Sequence, residues 1–148
     1  MLKKRPFSLM IAIGTGLILC AAAVLYAAGM PEVMVLEAPY KKTRSSVTFT
    51  HQKHIDEYKV ACGECHHDDQ GKPLNDLKAD DSVQKCIDCH SKPGEVRGRQ
   101  AQGMSDQEQL TYHANAMHAN CVACHRDYNK EKSARIAPAT CNECHPKE

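Results

Sequence analysis

Apolar and polar positions alternate in two short stretches near the start of the chain. Val33 to Glu37 and Ser46 to Thr50 are both rich in β-branched residues, and a polar loop separates them. Alternation of this kind predicts two strands of a small antiparallel ribbon. Ser105 followed by Glu108 forms a capping-box signature, which predicts a helix opening there and running toward Cys121. Gln70 to Pro73 and Ser91 to Gly94 carry Gly and Pro together and read as turns. The remainder shows no sustained period, so short helical turns and loops are expected.

Ahead of the ribbon the pattern is different. Lys3, Lys4 and Arg5 precede an uncharged, largely apolar run from Phe7 to Met30. A basic start and an apolar core predict a secretory signal over residues 1–29, with Ala27, Ala28 and Gly29 as the small residues before cleavage. The run is also long enough for a retained membrane anchor. Either way the basic residues put the start in the cytoplasm and residues 30–148, the single expected domain, outside it.

Composition changes this picture in two ways. The chain of 148 residues carries 19 basic and 18 acidic side chains. Removing residues 1–29 takes three basic and no acidic ones, leaving 16 against 18. There is no basic excess to neutralise phosphates, so nucleic acid is excluded as a partner. The exported part also has Phe49 as its only Phe and no Trp. A domain this small and this poor in large apolar side chains is marginal on burial alone. Something other than side chains must fill its interior.

The cysteines say what. Apart from Cys20 in the leading segment, all of them fall into one motif used four times: Cys62-x-x-Cys65-His66, Cys86-x-x-Cys89-His90, Cys121-x-x-Cys124-His125 and Cys141-x-x-Cys144-His145. This is the attachment signature of c-type haem. Two thiols three positions apart lie on one side of a helical turn and can meet the two vinyl groups of one porphyrin. The next residue then offers an imidazole to the iron. A disulfide framework or paired zinc half-sites would use the cysteines but leave the four following histidines unexplained. Four covalently bound haem c groups are therefore expected.

Nine histidines are present, and five remain after these four: His51, His54, His67, His113 and His118. Four bis-histidine irons need four more ligands. Met34, Met104 and Met117 recur at no fixed offset from the motifs, so histidine is the better supply. His66 and His67 are neighbours and point in different directions, so they serve different irons. His51 and His54, three apart, are too close to face each other across one porphyrin, and also serve two irons.

The combination His51-x-x-His54, Cys62-x-x-Cys65-His66-His67 and three further attachment motifs resembles the class III cytochromes c, the tetrahaem cytochrome c-three family of sulfate-reducing bacteria. The resemblance covers Val33 to His145. It implies a mainly α and irregular multihaem cytochrome, with a small N-terminal two-stranded antiparallel ribbon and short helices and loops wrapped around four haems. It further implies His51 as distal ligand of the first haem, His67 of the second and His54 of the third. For the fourth, His113 and His118 both lie before the third motif, and His118 resembles the family ligand better. All four motifs here are CxxCH, whereas common family members widen two of them. The surface around Lys130, Lys132 and Arg135 is mixed with acids, which resembles the acidic second type associated with membrane-bound redox complexes.

Filled axial positions leave no site for a small-molecule substrate, so an electron carrier is expected rather than an enzyme, at low potential. The resemblance implies the periplasm, free or membrane-associated, in sulfate respiration. It implies periplasmic hydrogenase or another multihaem cytochrome as donor and a membrane redox complex as acceptor. The alternatives are a membrane-anchored tetrahaem quinol dehydrogenase and a multihaem reductase with one open iron. The HxxH pair and the His66-His67 doublet argue against the first, and the surplus of histidines against the second.

Overall fold

The computed structural model describes residues 32–78 and 81–147. The segment read as a signal or anchor lies outside the described residues. Among the described residues no helix is long and apolar enough to cross a membrane.

Strands β1 (Met34–Leu36) and β2 (Val47–Phe49) pair antiparallel in the register Met34 with Phe49, Val35 with Thr48 and Leu36 with Val47. The alternation read from the sequence is visible in burial. Met34, Leu36, Val47 and Phe49 are half-buried, while Val35 and Thr48 face solvent. The ribbon therefore has one apolar face, and it delivers the chain directly into helix α1 (His51–Asp56). Phe49 packs its ring against the imidazoles of both His51 and His54, with centroids 5.6 and 4.8 Å away.

A 3-10 turn follows at Cys62–Glu64, then α2 (Cys86–Cys89), a second 3-10 turn at Gly98–Ala101, α3 (Asp106–Leu110), α4 (His113–Glu131) and α5 (Cys141–Cys144). Short helices and irregular connections make up most of the described residues, and the fold class expected from the sequence is the one observed. Both turns are also present. Asp68 Oδ1 accepts from the backbone N–H groups of Gln70 and Lys72 around Gly71, whose φ is 80°. Gly94, at φ 78°, accepts a backbone bond from Ala114.

The helix expected from Ser105 toward Cys121 is two helices. The cap is as expected: Ser105 Oγ accepts from Glu108 N–H at 3.2 Å, and Glu108 Oε2 accepts from Ser105 N–H at 2.7 Å. But α3 stops at Leu110, and Tyr112 is extended at φ −86°, ψ 127°. The break has a distant cause. Lys92 N–H donates to Thr111 C=O at 3.0 Å, and His113 N–H donates to Lys92 C=O at 2.8 Å. The Ser91–Gly94 turn claims the backbone groups that a continuous helix would need.

Among the described residues Val96 alone is fully buried, at 4 % exposure. Native domains of this size bury a substantial share of their apolar side chains. The protein interior is thus supplied by something other than aliphatic packing, as the thin composition implied.

Loss of the α3 cap is expected to be measurable. Ser105→Ala should cost about 1 kcal/mol in denaturant unfolding. The backbone and hydroxyl bonds from Ser105 hold the Glu108 carboxyl below its usual range. Its folded pKa is depressed, so its contribution is complete above the ordinary carboxylate pKa and fades as the pH falls below it. Glu108→Gln should therefore destabilise at neutral pH, with the difference from the parent closing under acid conditions.

Candidate functional site

Each attachment motif is closed by one backbone bond. The N–H of His66 donates to Cys62 C=O at 2.9 Å, that of His90 to Cys86 C=O at 2.8 Å, and that of His145 to Cys141 C=O at 2.8 Å. This single turn sets both thiols and the imidazole on one short segment. The third motif needs no separate closure because Cys121, Cys124 and His125 lie within α4.

The variable residues of the motifs have structural roles that the spacing alone did not reveal. Glu143 Oε2 accepts from Thr140 N–H at 2.9 Å and from Thr140 Oγ1 at 2.6 Å, and so caps α5. These bonds, with one from Ala139 N–H and the nearby Arg135, pull its carboxyl down to about 2. Asp88 caps α2 through Lys85 N–H at 3.0 Å. A Cβ at Gly63 would collide with the Asn75 side-chain amide and sit 3.1 Å from Pro73 Cβ, so a larger residue there would force these neighbours to shift. That close approach lets the 71–77 loop lie over the first motif.

None of the eight cysteines of these motifs is in a disulfide among the described residues. Nor does any group of three or more His, Cys, Asp or Glu side chains converge to hold a bare metal ion there. Burial pushes the Cys121 thiol up to about 11 and raises Cys65, Cys86 and Cys144. A thiolate nucleophile or metal ligand is instead stabilised by cationic surroundings.

The histidines meet in pairs. His51 and His66 have ring centroids 6.3 Å apart, His67 and His90 5.9 Å, His54 and His125 6.1 Å, and His118 and His145 6.4 Å. Two imidazoles on opposite sides of one metal, each bonded at about 2 Å, have centroids about 6 Å apart. The separations lie within the range of edge-to-face ring pairs and also match that requirement. His66 and His67 are brought to different partners, as adjacency demanded. The local reason differs from a helix: the first motif is a 3-10 turn, and His67 pairs with Pro73 in an isolated bridge.

The ring nitrogens are oriented as well as spaced. Six of these imidazoles hold Nδ1 at a fixed acceptor: His54 at Thr50 C=O, His67 at Asp68 C=O, His90 at Leu110 C=O, His125 at Pro138 C=O, His145 at Ser45 C=O and His118 at Glu95 Oε1. A histidine that donates from Nδ1 leaves the Nε2 lone pair for a metal. Burial lowers the pKa of His51 and His66. His51 Nδ1 is buried without a partner.

His113 stands apart from this scheme. Its Nδ1 lies 2.9 Å from the Tyr40 hydroxyl, and the two rings meet edge to face at 5.8 Å. Near the remaining end of the chain, Lys42 to Ser46 and His145 to Lys147 line an open cavity of about 670 Å³, within the size range of cofactor sites.

Paired imidazoles at this spacing, beside cysteine pairs and in a fold where Val96 alone is fully buried among the described residues, fit porphyrins. The class of protein these features define is a multihaem c-type cytochrome. The sequence profile of the class III cytochrome C family matches residues 30–145. Cytochrome c3 of Desulfovibrio desulfuricans is 30% identical over 121 residues, 79% of this chain and 96% of that protein. Cytochrome c3 of Nitratidesulfovibrio vulgaris is 32% identical over 103 residues, 69% of this chain and 60% of the relative. The chain belongs to the class III cytochrome c family. It is a small electron carrier with four c-type haems, and it works with other redox proteins.

Asn129 supports the third motif in a way the spacing did not suggest. Its Oδ1 accepts from Ile136 and Ala137 N–H, both at 2.8 Å, and its Nδ2 donates to Ala137 C=O at 2.8 Å. This fixes the segment whose Pro138 carbonyl holds His125. Asn129→Ala should cost about 1–2 kcal/mol in denaturant unfolding of the intact protein, because backbone donors lose their acceptor.

Proposed function

We propose that the four haems are attached at Cys62 and Cys65, Cys86 and Cys89, Cys121 and Cys124, and Cys141 and Cys144. Their proximal ligands are His66, His90, His125 and His145. The distal ligands are His51 opposite His66, His67 opposite His90, His54 opposite His125, and His118 opposite His145. The observation that carries this reading is the meeting of each motif histidine with one distant imidazole at 5.9–6.4 Å. It also favours His118 over His113, which has the Tyr40 hydroxyl for company instead.

Bound haem supplies one-electron ferric–ferrous chemistry. The chain's part is to fill both axial positions and to fix the orientation of six of the eight imidazoles through Nδ1. Strong-donor imidazoles at both axial positions would keep the potentials low. Electrons would enter from a periplasmic hydrogenase, directly or through another multihaem cytochrome, and leave to a membrane redox complex. Residues 1–29 act as a cleaved export signal and the domain works in the periplasm. The near-neutral surface, made acidic by eight propionates, suits the acidic type of the family.

Electron paramagnetic resonance during a redox titration should report four low-spin, bis-histidine haems. His118→Ala should convert one of them to high spin, while His113→Ala should leave all four low-spin. The reverse result, or a high-spin iron in the parent protein, would contradict the ligand assignment. Mass spectrometry of the mature protein should show an N-terminus near Met30.

A further inference from the structure

Five of the six anchored imidazoles give Nδ1 to a neutral backbone carbonyl. His118 alone among them faces a carboxylate, Glu95 Oε1, at 3.0 Å. The carboxylate is placed there by the backbone on both sides of it. Gly94 C=O accepts from Ala114 N–H at 3.0 Å. Val96, the buried residue, is gripped at both backbone groups by Asn115, through Oδ1 at 2.8 Å and Nδ2 at 2.9 Å. Ala114 and Asn115 lie on α4 one turn before His118. The loop and the imidazole are thus held to the same helix. Its side chain is 30 % exposed and that of His118 43 %, so the pair is only partly screened by solvent.

From this geometry we infer that Glu95 is a positioning residue that sets the potential of the haem bound by His118 and His145 below the value the same two imidazoles would give with a neutral acceptor. Two effects act in one direction. A carboxylate that takes the Nδ1–H bond makes Nε2 a stronger donor, which stabilises the ferric ion. Its negative charge also favours the extra positive charge of the oxidised haem. Arg97 opposes both: its Nη1 lies 3.4 Å from Glu95 Oε2, on a side chain that is 78 % exposed. The four haems therefore do not differ only in solvent exposure and mutual repulsion. One carries a dedicated anionic partner.

The inference rests on His118 being an axial ligand. Its test is a redox titration of the intact tetrahaem protein at low ionic strength, with the four haems resolved by paramagnetic nuclear magnetic resonance. Glu95→Gln keeps the length and an acceptor oxygen but removes the charge. At fixed electrode potential it should lower the ferric-to-ferrous ratio of one haem on the order of threefold or more, with the others far less affected. The ratio at the same haem should rise in Arg97→Gln, where the competing cation is gone and the carboxylate and the fold are retained. Unchanged ratios in Glu95→Gln, or an equal shift of all four haems, would overturn the inference while leaving the four low-spin signals and the carrier reading intact. If His118→Ala leaves every iron low-spin, the ligand assignment falls, and this inference with it.

Discussion

The structure depends on imidazole pairs that join segments far apart in the chain. His51 on the first helix meets His66, His54 reaches His125 on the longest helix, His67 reaches His90, and His118 reaches His145 near the end. In an ordinary domain, aliphatic packing would bring such segments together. Here Val96 is the one fully buried residue among those described, so apolar side chains cannot supply the usual cohesion. The porphyrins that the family binds offer a large apolar surface, and the histidine pairs lie where these segments meet. Cofactor binding and folding are in this sense one process, as they are in other proteins whose ligands are scattered along a chain.

The backbone is arranged around the same requirement. Every acceptor that orients a ring comes from a different local element: the start of α1, the Asp68 turn, the end of α3, the Pro138 segment, the Ser45 loop and the Glu95 turn. These segments have little regular structure because their carbonyl groups are needed outward, toward imidazoles, rather than in a ladder. Asn115 and Asn129 compensate. Each satisfies backbone groups of a neighbouring loop from a position on α4, and so that helix braces the loops on either side of it.

Much of the site is legible in the sequence. The four CxxCH copies, the HxxH pair and the His66-His67 doublet are short-range patterns, and the fold brings each motif histidine near a different second imidazole. The ribbon is legible from alternation, and the α3 start from Ser105 and Glu108. Other features are not legible, because they depend on contacts distant in sequence. The α3–α4 break at Thr111–Tyr112 follows from Lys92, about twenty residues earlier. The end of α4 runs through Ser133 at φ 48°, where no glycine announces a stop. The hydrogen bond between His113 and Tyr40 joins residues 73 positions apart.

The sequence by itself determined the chemistry: eight thiols in four pairs, each followed by an imidazole, and enough further histidines to fill the opposite faces. Such local information survives in a linear string because attachment needs only residues within one turn. Tertiary structure alone decided which distant histidine faces which motif, and which acceptor stands behind each ring. Those are properties of segments brought together from opposite ends of the chain. Glu95 is the clearest case. In the sequence it is one acid among eighteen; in the fold, Asn115 and Gly94 hold its turn against α4 and bring its charge to His118.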